Sequence, residues 1–198
     1  IVNDGSTDNS KAIFEKLIPR YPFAHLINVD MNKGYGFGIT SGLTAARGEF
    51  ISYTHADMQT DPADVLKALE IIKLEKNPQK CFVKGDRKKR PLFDQLFTVG
   101  MSVFETLFLG TRLWDINAQP NLFHRDFFHQ LKMNCPNDFS LDLYFLYMAK
   151  IMNYKVVRFD VFFPNRIFGT SSWNNGLYSK WKFIKRTLDF SLKLKKEL

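Results

Sequence analysis

The chain has 198 residues, 45% of them hydrophobic, and a formal net charge of +8, which supports one globular domain with a core of its own. Its two cysteines, Cys81 and Cys135, match neither a zinc-ligand spacing nor a disulfide framework and read as reduced thiols. No apolar run approaches the ~20 residues of a membrane-spanning helix.

The chain opens in mid-pattern. Ile1-Val2 reads as a strand end, so a domain lacking its first strand and helix is expected. A Gly turn and a helix start follow at Asn3-Asp4-Gly5-Ser6-Thr7-Asp8-Asn9-Ser10, where Ser, Thr, Asp and Asn are the residues that cap helices. Ala12, Ile13, Leu17 and Ile18 make a helical stripe, and Pro19 and Pro22 signal turns. Positions 25–30 are a second strand and Asn32-Lys33-Gly34-Tyr35-Gly36 a Gly-bearing loop. Positions 38–47 carry small residues suited to a closely packed helix, ended by Gly48. Glu49-Phe50-Ile51-Ser52-Tyr53 is a buried strand, positions 63–72 a helix, and Cys81-Phe82-Val83 a further strand.

Positions 92–109 form a long apolar helix rich in Phe, whose stripe suits core, a membrane-facing surface or a lid; core comes first, because a stripe at helical spacing usually packs inward. Positions 139–153 are another aromatic helix and positions 155–163 a strand. The tail, 174–198, holds a basic amphipathic helix. It suits either an anionic membrane surface or docking of its apolar face on the domain, the second being favoured. Strands alternating with helices predict an α/β fold with a mostly parallel sheet covered by helices.

The positive charge concentrates at positions 84–90 and 180–196, a pattern that suits phosphorylated substrates, anionic lipid or nucleic acid. Acidic and amide oxygens gather in Thr54-His55-Ala56-Asp57-Met58-Gln59-Thr60-Asp61-Pro62, between a strand and a helix. In an open α/β sheet ligands bind at that end of the strands, and such oxygens suit a hard divalent cation that also holds phosphates. Asp61, just before Pro62, reads as a helix-start residue. The turn at Asp4 and the loop at Asn32 also follow strands, so the three segments are expected to meet at one edge of the sheet.

Taken in order, these segments resemble a family 2 glycosyltransferase with the GT-A fold, and within it the dolichyl-phosphate-mannose-synthase-like branch. The matching elements are Asn3-Asp4-Gly5-Ser6-Thr7-Asp8, Asn32-Lys33-Gly34, His55-Ala56-Asp57-Met58-Gln59-Thr60-Asp61-Pro62, Gly85-Asp86-Arg87, the stretch from Asp115 to Arg125, and Arg166-Ile167-Phe168-Gly169-Thr170-Ser171. The likeness runs from Ile1 to about Trp173, and an ordered series is more specific than any one motif.

The resemblance implies roles. Asp4 selects the nucleotide base and Lys33 lies over the nucleotide. Asp57 and Gln59, with His55, hold a divalent cation, Mg²⁺ or Mn²⁺, on the diphosphate leaving group. Arg87 and Arg166 handle phosphates, for which the Arg fork is suited. Asp115 and Gln119 line the acceptor pocket or form a structural turn. Asp142 is the candidate catalytic base; Asp138 reads as a helix cap. His55 stands where the family has an Asp, which costs the site one negative charge and weakens it for Mg²⁺ more than for Mn²⁺. The implied activity is inverting transfer of a sugar from a nucleotide-sugar donor to a lipid-linked or envelope-glycan acceptor, at the cytoplasmic face of a membrane with possible peripheral contact. Two alternatives are a sugar-nucleotide-binding pseudoenzyme and a basic nucleic-acid-binding module. The second is disfavoured, because the basic residues are not interleaved with aromatics in a binding motif.

Overall fold

The computed structural model describes residues 1–57, 59–90, 92–164 and 177–197. Two hydrogen-bonded sheets organise them. Strands β1 (Val2–Asp4) and β2 (Ile27–Val29) pair in parallel, with Val2 opposite Ile27 and Asp4 opposite Val29. Strands β3 (Phe50–Tyr53), β4 (Cys81–Lys88), β5 (Asn121–His124) and β6 (Lys155–Phe162) form a second sheet in the order β3-β5-β4-β6. The α/β layout expected from the sequence is present. The four-stranded sheet is mixed, because β5 runs antiparallel to both neighbours while β4 and β6 run parallel.

Two elements escape a reading of local pattern. All four residues of β5 are buried, so the strand has no alternation to betray it, and the seven-residue helix α5 (Arg125–Leu131) follows without a loop. Strand β4 is longer than the expected Cys81-Phe82-Val83. It continues through Lys84-Gly85-Asp86-Arg87-Lys88, residue types depleted in strands, because β6 pairs with it from Cys81↔Lys155 to Lys88↔Phe162. Most of the basic segment at positions 84–90 is therefore strand.

Helix α1 (Ser10–Leu17) lies at the surface with no buried residue. Helix α2 (Tyr35–Ala45) packs on both β1 and β3 and so spans the two sheets. Its small residues permit this: a Cβ at Gly42 would come 2.8 Å from Val2 Cγ2. Helix α3 (Asp64–Lys73) covers the four-stranded sheet with Ala68 and Ile72. Helix α6 (Ser140–Ile151) is the core helix, with nine of its side chains buried. Aromatic rings fill the space between it and the sheet. Phe82 stacks on Phe123 at 5.3 Å, and Phe123 meets Phe145 edge-on at 5.5 Å.

Helix α4 (Leu92–Leu109) has the expected span but not the favoured core orientation. Its most deeply buried residues are the polar Ser102 and Glu105, while Leu92, Leu96 and Leu107 are exposed. The C-terminal helix α7 (Leu177–Glu197) docks on α4 and α6 and buries Thr187, Ser191 and Leu194. Docking, the favoured reading of the tail, describes this face.

Candidate functional site

The first motif turns at Gly5, whose φ of +65° suits glycine. A Cβ there would lie 2.3 Å from the backbone nitrogen of Asn32. This close approach seats the turn after β1 against the loop after β2, as the sequence predicted. Asp4 then lies beside Gly38 of α2, with one buried carboxylate oxygen, Oδ1, that has no partner among the described residues. Burial raises the pKa of this carboxyl above its ordinary value. A buried acceptor without a donor is costly to the fold alone, and it suits an N–H donor on a ligand. Lys33 is at the surface, its ammonium 4.8 Å over the Phe37 ring.

The loop after β3 is organised by its own acidic residues. Asp57 Oδ1 accepts from the backbone N–H of Gln59 at 3.1 Å, and Asp61 Oδ1 accepts from Ala63 N–H at 2.8 Å, ahead of α3. Asp61 thus has the helix-start task expected of it. The Gln59 amide donates to the Pro164 carbonyl at 3.2 Å and ties the loop to the end of β6. His55 faces Tyr35, ring centroids 6.2 Å apart, which joins this loop to the start of α2. Beside Asp61, which is taken up by the helix start, one carboxylate, one imidazole and one amide share the loop. No group of three or more His, Cys, Asp or Glu gathers to hold a metal among the described residues. This donor set fits a Mg²⁺- or Mn²⁺-type ion that takes one or two protein ligands and finds the rest in phosphate oxygens and water.

Behind these loops lies a buried polar network. Asp142 on α6 is 2% exposed. Its Oδ1 accepts from the Tyr53 hydroxyl at 2.6 Å and from Asn121 Nδ2 at 3.4 Å; its Oδ2 accepts from the Tyr35 hydroxyl at 2.8 Å. Burial, and then the Asp142 charge, push both tyrosine hydroxyls well above their ordinary pKa. Tyr35 also accepts from Gln119 Nε2, and its ring stacks on Phe139 at 4.4 Å. Lys84 is fully buried. It donates to the Ala118 carbonyl at 2.6 Å and to Asn121 Oδ1 at 2.8 Å, and burial brings its ammonium down to about 7.

Several residues expected in the site have partners inside the fold here. Both oxygens of Asp142, the candidate base, accept hydrogen bonds here, so this carboxylate ties α2, β3 and β5 to α6. Arg87, expected to handle phosphate, pairs with Asp115 in this structure. Its Nε donates to Asp115 Oδ1 at 2.9 Å, its Nη2 donates to the same oxygen, and its backbone N–H donates to Asp115 Oδ2 at 2.9 Å. Burial pushes the Asp115 carboxyl up, but the Arg87 charge and these hydrogen bonds outweigh it and hold the carboxyl below the usual range. Asp115 and Gln119 are both buried, so each holds other site residues in place. A Cβ at Gly85 would lie 2.3 Å from the Gln119 carbonyl oxygen, which explains the glycine in that motif. Asp138 caps, accepting from Ser140 N–H at 2.8 Å. Arg166 lies outside the described residues.

Tyr35, Tyr53, Lys84 and Asn121 were not foreseen as site residues. The available signal is placement: two tyrosines next to motif loops and a lysine directly after an apolar run. Their partners are 21 to 107 residues away, beyond any local pattern.

The family model described as "Glycosyl transferase family 2" matches residues 1–130. Two dolichyl-phosphate beta-glucosyltransferases of Trichomonas vaginalis are similar to the chain. One is 31% identical over 141 residues, covering 68% of this chain and 43% of the relative. The other is 30% identical over 143 residues, covering 68% and 44%. The chain thus spans less than half the length of these relatives. Among solved structures, glucosyl-3-phosphoglycerate synthase from Mycobacterium tuberculosis in complex with uridine diphosphate superposes with a TM-score of 0.69 at 13% identity, covering 97% of this chain and 66% of that one. The same enzyme with Mn²⁺, UDP-glucose and phosphoglyceric acid gives 0.67 at 13% identity, covering 96% and 67%. At that identity the likeness is one of fold.

Proposed function

The chain belongs to glycosyl transferase family 2 and has the GT-A fold, and we propose that it transfers a sugar from a nucleotide-sugar donor to a lipid-linked acceptor phosphate. The observation that carries this reading is the meeting of the Asp4–Gly5 turn, the Asn32 loop and the His55–Gln59 loop around Tyr35. Asp4 offers its unpartnered oxygen to the base. Asp57 and Gln59, with His55 beside them, hold the divalent cation. When bound, that ion neutralises the charge that develops on the leaving diphosphate.

The state of Asp142 favours a phosphate acceptor over a hydroxyl acceptor of an envelope glycan. A hydroxyl nucleophile needs a carboxylate to take its proton, and this carboxylate already accepts from two tyrosines. A phosphate monoester is ionised at neutral pH and needs no base. Its oxygen forms the new bond to the sugar C1 as the bond from C1 to the diphosphate breaks, with inversion. The names of the Trichomonas relatives support a polyprenyl phosphate as that acceptor. Peripheral attachment at the cytoplasmic face of a membrane accords with it; no helix among the described residues is long and apolar enough to cross one.

The test is release of nucleoside diphosphate from UDP-, GDP- and dTDP-sugars with Mn²⁺ or Mg²⁺ and a short polyprenyl phosphate. Acceptor-dependent release from one donor is the expected result. Binding of a donor without release under any condition overturns it in favour of a sugar-nucleotide-binding pseudoenzyme, the reading that His55 motivates.

A further inference from the structure

Helices α4 and α7 are amphipathic the wrong way round for a domain that ends at its own surface. On α4, Leu92, Leu96, Val99, Val103 and Leu107 recur at three- and four-residue spacing and make one stripe. That stripe faces outward: Leu92 is 78% exposed, Leu96 71% and Leu107 79%. It carries no charged residue, and a Cβ built on Gly100 beside it would meet nothing within 4 Å. The opposite face is buried through Ser102 and Glu105, the latter accepting from the Ser191 hydroxyl of α7 at 2.8 Å.

Helix α7 continues the surface. The Lys195 ammonium lies 4.7 Å over the Phe108 ring, and Phe108 stacks on the exposed Phe104 at 5.6 Å. Trp181, Leu188 and Leu192 share the Lys195 side of α7 by helical spacing. Trp181 and Leu192 are exposed. Beside this apolar edge run the exposed Lys182, Lys185, Lys193 and Lys196. Helix α7 holds seven basic residues against two acidic ones.

We infer that the outward faces of α4 and α7 form a docking surface for an anionic lipid bilayer. A continuous aliphatic stripe with a Trp at its edge suits the acyl boundary, and flanking lysines suit acidic headgroups. An apolar patch of this length on a soluble face marks an interaction site. A second copy of the chain is the poorer occupant, since a symmetric contact would bring the two rows of lysines together. The inference deepens the lipid-linked acceptor reading and rests on it for its biological sense, but its test does not require transfer.

The whole chain is mixed with vesicles of phosphatidylcholine with or without phosphatidylserine, and the bound fraction is read by co-sedimentation. Binding to the phosphatidylserine vesicles, weakened by salt and by about fivefold for each lysine removed among Lys182, Lys185 and Lys193, is the expected result. Leu96→Glu with Leu107→Glu lowers binding by more than about tenfold, whereas Leu74→Glu, on an exposed residue elsewhere, leaves it unchanged. No binding by the parent chain, equal loss in all variants, or self-association through this face without vesicle binding overturns the inference. A chain that binds vesicles but turns over no donor removes the transferase reading and leaves the surface standing; turnover without vesicle binding does the reverse.

Discussion

Tyr53 at the end of β3 donates a 2.6 Å hydrogen bond to Asp142 on α6, 89 residues further along the chain. That bond, with its counterpart from Tyr35, connects the strand that ends in the His55–Gln59 loop to the core helix. The loop is therefore positioned by a contact that lies behind it.

If Asp142 is an anchor, its removal costs stability more than chemistry. Tyr53→Phe is expected to cost about 1.5–3 kcal/mol, the worth of a hydrogen bond to a charged group, by urea denaturation. Tyr35→Phe combined with it is expected to be non-additive, since both share one carboxylate. Asp142→Asn should lower donor turnover to a phosphate acceptor by less than about tenfold, where loss of a general base costs ~10²–10⁴. A loss in that larger range would restore Asp142 as the base.

For the cation loop, Asp57→Ala is expected to abolish metal-dependent turnover while the circular dichroism spectrum and melting temperature stay close to those of the parent. Undiminished turnover would remove Asp57 from the site. His55→Asp is expected to raise Mg²⁺ use relative to Mn²⁺, because a carboxylate is the harder ligand; an unchanged preference would mean that His55 does not ligate.

The Arg87–Asp115 pair is closed to solvent, with side-chain exposures of 10% and 4%. Arg87→Ala leaves a buried carboxylate without its counter-charge and is expected to cost about 3–5 kcal/mol. Arg87→Lys keeps the charge but loses the fork and should fall between parent and Ala. Were Arg87 mainly a phosphate ligand, both variants would instead leave stability near that of the parent and raise the KM for donor.

Glu105 links α4 to α7 under conditions that favour its protonated form. Burial pushes its pKa up to about 7, and the Ser191 hydrogen bond lowers it only in part. Its ordinary value is 4.5, so between these two values the native state holds a proton that the unfolded chain has lost. This group's contribution is complete below the unfolded value and falls as pH rises towards 7, by at most about 1.4 kcal/mol per pH unit. Glu105→Gln should flatten that slope, measured as the difference in unfolding free energy between parent and variant from pH 5 to 8. Parallel pH profiles would place the titration elsewhere.

Much of the site was legible from the chain alone. The Gly5 turn, the Asn32 loop and the Asp57 loop each follow a short strand, and turn and cap chemistry is local enough to be read in order. Asp61 and Asp138 were legible as caps for the same reason, since each bonds two residues ahead. The spans of α4 and β6 followed from apolar periodicity. That periodicity says which residues share a face of α4 but not where the face points.

What the tertiary structure decided were the partners. Arg87 has the same charge and fork whether it meets a phosphate or Asp115, and only the fold brings Asp115 within 2.9 Å. Asp142 is one carboxylate among twenty acidic residues in the sequence, and only the fold brings two tyrosine hydroxyls from other elements onto it. Strand β5 exists because β3 and β4 flank it, and β4 keeps its Gly and charged residues in a strand because β6 pairs along its whole length. Local pattern sets what each residue is able to do; burial and contacts between distant segments select which of those capacities is used.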